Sequence, residues 1–200
     1  MEKVLVTGAT GFLGKHTALM LNNKGYSVYG TGRNLTVGRE LKKMGVEFFE
    51  ADIRDLKSLD EVFSQNYDYV VHCAALSSPW GSYRDFYSIN VEGTRNILSG
   101  AKKIGVKKFI HISTPSIYFD FSEKGMVKED QIPDHFANHY AKTKFMAEEL
   151  VDKEFENGMS TVTLRPRAIF GIGDNAIFPR IIKANDKTGI PLINEGKHLV

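Results

Sequence analysis

The stretch VLVTGATGFLGKHTALML, residues 4–21, decides the fold. Its apolar opening through Val6 reads as a strand with both faces buried. From Phe12 to Asn23 the pattern is helical, and Gly25 stands where a helix C-cap belongs. Between strand and helix, Gly8, Gly11 and Gly14 recur three apart. A strand that turns sharply into a helix needs residues that accept positive φ and let backbone N–H groups approach a ligand. A helix start offers unpaired N–H groups and a partial positive charge, which suit a pyrophosphate. The spacing is G-x-x-G-x-x-G, not the G-x-G-x-x-G dinucleotide fingerprint. A purely structural turn would also use these glycines, but their place at the head of an alternating chain favours a dinucleotide.

Outward from that turn, compact β-branched or aromatic runs are expected as strands at Lys3–Thr7, Ser27–Thr31, Val46–Glu50, Tyr67–Cys73, Lys108–Ser113 and Thr161–Arg165. Helices are expected at Phe12–Asn23, around Leu56, Leu59, Val62 and Phe63, and at Arg84–Lys103 and Asn138–Asn157. Strand–helix alternation implies a parallel sheet with right-handed crossovers, hence an α/β, Rossmann-type, doubly wound fold. Residues 1–172 are expected to form the dinucleotide-binding domain. Residues 173–200, with a helix near Phe178–Asp186, read as the start of an incomplete C-terminal substrate-binding region.

The chain has 200 residues, 42% hydrophobic and 25% charged, with a net charge of +2 and one cysteine, Cys73. These values suit a soluble globular protein with a real core, and Cys73 reads as a small buried hydrophobe. A lone cysteine excludes an internal disulfide framework. Scattered basic residues leave no footprint for nucleic acid, and no apolar run is long enough to span a bilayer. A leader peptide is not apparent, so a cytoplasmic location is expected. The six histidines show no metal-ligand spacing.

The end of the second strand, VYGTGRN (28–34), bears on which dinucleotide binds. An acidic residue in this region would bind the adenosine ribose of NAD. Here Gly32 holds that place, and Arg33 follows. A guanidinium can pair with a ribose 2′-phosphate through charge-assisted bonds, whereas a carboxylate would repel it. NADP(H) is therefore favoured, with NAD(H) as the alternative. Asp52, after the third strand, is a candidate adenine contact or a helix cap.

HYAKTKF (139–145) places Tyr140 and Lys144 four apart, on one helical face. A phenol with a reference pKa of about 10 is a poor acid–base catalyst at neutral pH, and a nearby cation favours the phenolate. In HISTPSIY (111–118) the fifth strand ends at Thr114, whose hydroxyl can donate to a substrate carbonyl. Ser113 and Ser116 compete for that role, though Ser113 is rather expected as a satisfied turn hydroxyl.

The sequence resembles the extended short-chain dehydrogenase/reductase superfamily, also called NAD-dependent epimerase/dehydratases. TGATGFLG (7–14), Asp52-Ile53, HCAAL (72–76), NVEGT (90–94), STPSIY (113–118), YAKTK (140–144) and RPRAIFG (165–171) carry the resemblance, in order along the chain. GRN (32–34), SSPWGSYRDF (77–86) and STPSIYF (113–119) look most like the 3β-hydroxysteroid dehydrogenase branch, which includes reductases of 2-alkyl-3-oxoalkanoates. The resemblance implies Tyr140 as general acid/base, Lys144 as its pKa-lowering partner and a ribose contact, and Thr114 polarising the substrate oxygen. It implies a pyrophosphate held by Gly8, Gly11 and Gly14, with Thr10, Phe12 and Leu13 of the same turn and Ile53 beside Asp52 also at the cofactor. Ala74 and Ala75 would let the cofactor lie close, Asn90 backs the site, and Pro166 borders the nicotinamide. Phe119 departs from the glycine usual there.

The implied reaction is hydride exchange between a nicotinamide and a ketone or secondary alcohol. The alternatives are a nucleotide-sugar epimerase with tightly held NAD, and a non-catalytic NADP(H)-binding module or inactive fragment. A dehydratase would need an acid and a base where Pro115 and Ser116 stand. The resemblance also implies a possible homodimer through helices 84–103 and 138–157. Trp80 and Tyr83 are candidates to line an apolar substrate pocket.

Overall fold

The computed structural model describes residues 1–78, 80–121, 125–174 and 177–190. Strands β1 (Lys3–Thr7), β2 (Ser27–Gly32), β3 (Glu47–Glu50), β4 (Tyr69–His72), β5 (Lys108–Ile112) and β6 (Thr161–Leu164) form one sheet. Its order is β3-β2-β1-β4-β5-β6, and every pairing is parallel. The expected Rossmann-type sheet is the one observed.

Helices α1 (Phe12–Asn23) and α2 (Leu35–Lys43) cover one face of it. There Ala18 and Leu41 pack on Val4, Val6, Val28 and Phe48. The other face carries α3 (Leu56–Val62), a helical run comprising α4 (Tyr83–Phe86), a π-turn (Tyr87–Glu92) and α5 (Gly93–Ile104), and α6 (His139–Glu156). Leu59, Val62, Ile97, Leu98, Ala101 and Val151 bury Leu5, Val70 and Phe109 on that side. Each buried Leu, Ile, Val or Phe among them contributes about 1.5–3 kcal/mol of transfer free energy.

The chain winds outward through β1, β2 and β3, then returns past β1 to β4, β5 and β6. The reversal leaves a crevice between β1 and β4 at the carboxyl ends of the strands, where this topology binds ligands. Register pairs Thr7 with both Thr31 and His72, so three strand ends are level at that crevice.

The sequence pattern did not yield α2. Its LTVGRELKK holds two β-branched residues and a glycine, a weak intrinsic helix. Asn34 compensates, accepting from the backbone N–H groups of Thr36 (3.1 Å) and Val37 (3.2 Å). Gly38 lets the helix lie on the Phe48 ring, which a Cβ would meet at 2.3 Å. The expected helix 84–103 is interrupted by the π-turn. Within it Asn90 is drawn into the interior, and its carbonyl accepts from the Thr94 hydroxyl at 2.6 Å. At the end of the described chain, α7 (Phe178–Thr188) covers the helix expected near Phe178–Asp186. Residues 191–200 of the expected C-terminal region lie outside the described residues.

Candidate active site

The glycine turn is built by close approach. Gly8 has φ +66°, and a Cβ there would lie 2.8 Å from the Ala74 backbone. A Cβ at Gly14 would lie 2.2 Å from the Gly8 carbonyl oxygen, so only glycine lets the first turn of α1 sit on the β1 loop. Gly11 caps α1 with no side-chain bond to the helix N–H groups, which leaves that end open to an anion.

A cleft of about 220 Å³ lies over this turn at the β1/β4 crevice. Of the expected cofactor residues, Gly8, Thr10, Gly11, Arg33, Asp52, Ile53, Ala74 and Ala75 line it together. Thr31, Gly32, Ala51, Cys73 and Ile89 complete its wall. Phe12 and Leu13 face a second, smaller hollow of about 170 Å³ with His16, Ile169, Phe170 and Gly171. The residue at the end of β2 is glycine for a local reason, since a Cβ at Gly32 would lie 2.5 Å from the Thr10 hydroxyl oxygen.

At the far end of the cleft, Asp52 is gripped by Arg54. The guanidinium donates from Nε to Oδ1 (2.9 Å) and from Nη2 to Oδ2 (2.6 Å), and the Arg54 backbone N–H adds a bond to Oδ1 (3.0 Å). Arg33 approaches the same carboxylate only to 3.8 Å and is largely exposed. The Arg54 bonds, helped by the Arg33 charge, hold the Asp52 carboxyl down at about 2.

The helix between parallel β5 and β6 starts at the carboxyl edge and runs back toward the amino edge, so α6 presents its N-terminus at the carboxyl edge. Asn138 caps it, accepting from the Ala141 N–H at 2.8 Å. Tyr140 follows in the first turn, its ring 6.4 Å from Phe86. Among the described residues no hydrogen bond reaches the Tyr140 hydroxyl. Lys144 points inward instead. Its ammonium donates to the Ile112 carbonyl (2.7 Å) and contacts His111 Nε2 (3.2 Å). Burial pushes the Lys144 pKa down to about 8. Two of its three protons have acceptors, and among the described residues the third has none.

Thr114 is nearly buried and caps the short 3-10 turn Pro115–Tyr118. Its Oγ1 accepts from the Ser116 N–H (3.2 Å) and donates to Ser116 Oγ (3.0 Å). The expectation for Ser113 is corrected. Among the described residues its buried hydroxyl has no partner, while its backbone N–H ties β5 to β6 through the Leu164 carbonyl at 2.7 Å.

The model of the NAD dependent epimerase/dehydratase family matches residues 4–199. The chain belongs to this family. Its relatives include 2-alkyl-3-oxoalkanoate reductase from Stenotrophomonas maltophilia, 32% identical over 99% of this chain and 60% of that protein. The uncharacterized protein YbjS of Escherichia coli is 40% identical over 97% of this chain and 58% of its own length. Among solved structures, UDP-glucuronic acid 4-epimerase from Bacillus cereus in complex with NAD is 31% identical with a TM-score of 0.76, covering 91% of this chain and 62% of that one. The chain thus spans about three fifths of the length of these relatives. Family members depend on a nicotinamide dinucleotide and include reductases, dehydrogenases and epimerases.

The residues present fit such a dinucleotide. The hollow that a Cβ at Gly8 or Gly14 would fill, the uncapped start of α1 and the cationic far end of the cleft match a pyrophosphate flanked by an adenosine. Two further motif residues, Asn90 and Pro166, are not among the residues that line this cleft. Asn90 is fully buried. Its Oδ1 accepts from the Leu76 N–H (2.7 Å), and its Nδ2 donates to the Leu76 carbonyl (3.2 Å) and to Thr143 Oγ1 (3.1 Å). It pins the loop after β4 against α6 rather than lining the cleft. Pro166 follows β6 and does not line it either.

Three features escaped the sequence reading. One is the Arg54 fork onto Asp52. His72 and His111 stack at 5.5 Å inside the sheet. Arg165 of the RPRAIFG motif forms a forked ion pair with buried Glu148, Nε to Oε1 at 3.0 Å, and also bonds the Tyr118 hydroxyl. Cys73 is half-buried on the cleft wall rather than fully internal, and burial raises its thiol to about 12. Trp80 is 84% exposed, while Tyr83 packs edge-on against His139 at 5.5 Å.

Proposed function

We propose that this protein is a nicotinamide-dinucleotide-dependent oxidoreductase acting on a ketone or secondary alcohol of the 3-oxoalkanoate or 3β-hydroxysteroid type. The observation that carries the reading is the single cleft that gathers the glycine turn, Ala74, Ala75, Asp52 and Arg33 at the edge where α6 presents Tyr140. The cofactor, when bound, supplies or accepts the hydride. Gly8, Thr10 and Gly11 hold its pyrophosphate, and Arg33 favours NADP(H).

Tyr140 gives or takes the proton at the substrate oxygen. Thr114 exchanges its bond to Ser116 Oγ for that same oxygen, polarising it. Lys144, fixed by Ile112 and His111, keeps a positive charge one helical turn behind the phenol and has one N–H free for a ribose hydroxyl. Asn90 acts through position, holding the loop beyond Ala75 against α6.

A second reading, nucleotide-sugar epimerisation with tightly held NAD, is favoured by the likeness to the UDP-glucuronic acid 4-epimerase structure. Incubating the protein with 3-oxoacyl, steroid and UDP-sugar substrates separates the two. Net, stoichiometric consumption of NADPH with a ketone supports the proposal. Turnover of a UDP-sugar without net change in the nucleotide overturns it.

A further inference from the structure

We infer that Arg54 is a specificity-determining residue that occupies Asp52 and so leaves Arg33 free for the 2′-phosphate of an adenosine ligand. This rests on the reading of the cleft as an NADP(H) site. Two guanidiniums compete for one carboxylate at the end of the cleft, and the competition is uneven. Arg54 takes both oxygens, at 2.9 and 2.6 Å, and adds its backbone N–H. That forked, charge-assisted geometry is the strong form of the pairing. Arg33 stands off at 3.8 Å with two thirds of its side chain exposed.

Arg33 and Asp52 line the cleft, whereas Arg54 does not. Arg54 therefore acts from behind, through the carboxylate. With Arg54 in place, the Asp52 charge is neutralised from the rear and the net charge facing a ligand is the exposed Arg33 cation. Without it, Asp52 would turn its charge to the nearest cation, Arg33. A 2′-phosphate would then meet a carboxylate and an arginine already paired. An exposed ion pair that must first be broken lowers affinity by about two- to fivefold.

The test is calorimetric titration of the protein with adenosine 2′,5′-bisphosphate and with 5′-AMP, probes that differ only in the 2′-phosphate. The parent is expected to prefer the bisphosphate, and Arg33→Ala to abolish that preference. Arg54→Gln is expected to reduce the preference about two- to fivefold while 5′-AMP binds as in the parent. Arg54→Lys, which keeps charge but not the fork, falls between. Adding Asp52→Asn to Arg54→Gln restores the preference, because no carboxylate remains to recruit Arg33. Loss of affinity for both probes alike in Arg54→Gln, or no recovery in the double variant, overturns the role given to Arg54 alone. A parent without preference, or an Arg33→Ala variant that keeps it, overturns the NADP(H) reading and this inference together.

Discussion

A Cβ at residue 14 would lie 2.2 Å from the Gly8 carbonyl oxygen, whereas one at residue 11 would lie 3.3 Å from it. The two glycines of one motif are therefore under different constraints. Gly14→Ala should force the α1 turn away from β1, costing about 1–3 kcal/mol and weakening dinucleotide binding. Gly11→Ala should be milder on both counts. Thermal melts and NADPH titration of the two variants check the ranking, and equal effects would contradict the close-approach account. Tyr140 makes a different prediction. Its hydroxyl has no hydrogen-bond partner among the described residues, so the ring is held by packing against Phe86. Tyr140→Phe should keep the fold and the dinucleotide affinity while turnover falls about 10²–10⁴-fold, the usual contribution of general acid–base catalysis. Single-turnover kinetics beside a binding titration measures both, and full activity in the variant would exclude the phenol as the proton carrier.

At the scale of elements, the carboxyl edge depends on one buried ion pair. Glu148 of α6 is 2% exposed, and Arg165, just past β6, forks onto it at 3.0 and 2.5 Å while also bonding the Glu129 carbonyl at 2.8 Å. Removing one partner leaves a buried charge alone, which costs about 3–5 kcal/mol. Glu148→Gln should therefore destabilise strongly in urea unfolding. Glu148→Gln combined with Arg165→Met should recover part of the loss, and an additive double variant would show that the two side chains act independently. This contact also marks where the sequence stops being informative. Strands, and the helices around residues 12–23 and 139–156, were legible because apolar runs and caps are local signals. Asn138 and Asn157 do flank α6 as caps. The helix α2 was not legible, because its stability comes from Asn34 and from Phe48 rather than from its own propensity. The π-turn was not legible either, since it answers to Asn90 reaching Leu76 and Thr143 across the fold. In the cleft, the glycines, Asp52 and Arg33 could be read from spacing. Arg54 could not be, and the bonds of Lys144 to Ile112 and His111 could not be either, because the direction of a long side chain is set by partners distant in sequence.

Across the whole molecule, a polar row runs through the sheet just beneath the site. Thr31, Thr7, His72, His111 and Thr163 are level on β2, β1, β4, β5 and β6. Thr94 donates to the Asn90 carbonyl (2.6 Å), so His72 Nε2 carries the proton directed at Thr94 (3.0 Å) and Nδ1 accepts from the Thr7 hydroxyl (2.7 Å). The ring is thus neutral and fully used, joining β1, β4 and α5. Burial, with the Lys144 charge adding to it, pushes its pKa down to about 3, and His111 is lowered well below its usual value for the same reasons. An unfolded histidine binds its proton near pH 6.5. Between about pH 6.5 and pH 3 the unfolded chain therefore holds more protons than the native one, and native stability falls as the pH is lowered through that window. Above pH 6.5 the His72 contribution is fully present. Protonation of His72 inside that window removes stability, with His111 acting in the same direction, so acid should destabilise this protein before its carboxylates are all protonated. His72→Gln supplies a neutral donor and acceptor that cannot titrate there. Its stability, lower than that of the parent at pH 7, should fall less steeply between pH 6.5 and pH 4 in denaturant titrations. Parallel stability curves for the two proteins would place the acid sensitivity elsewhere than in the buried histidine.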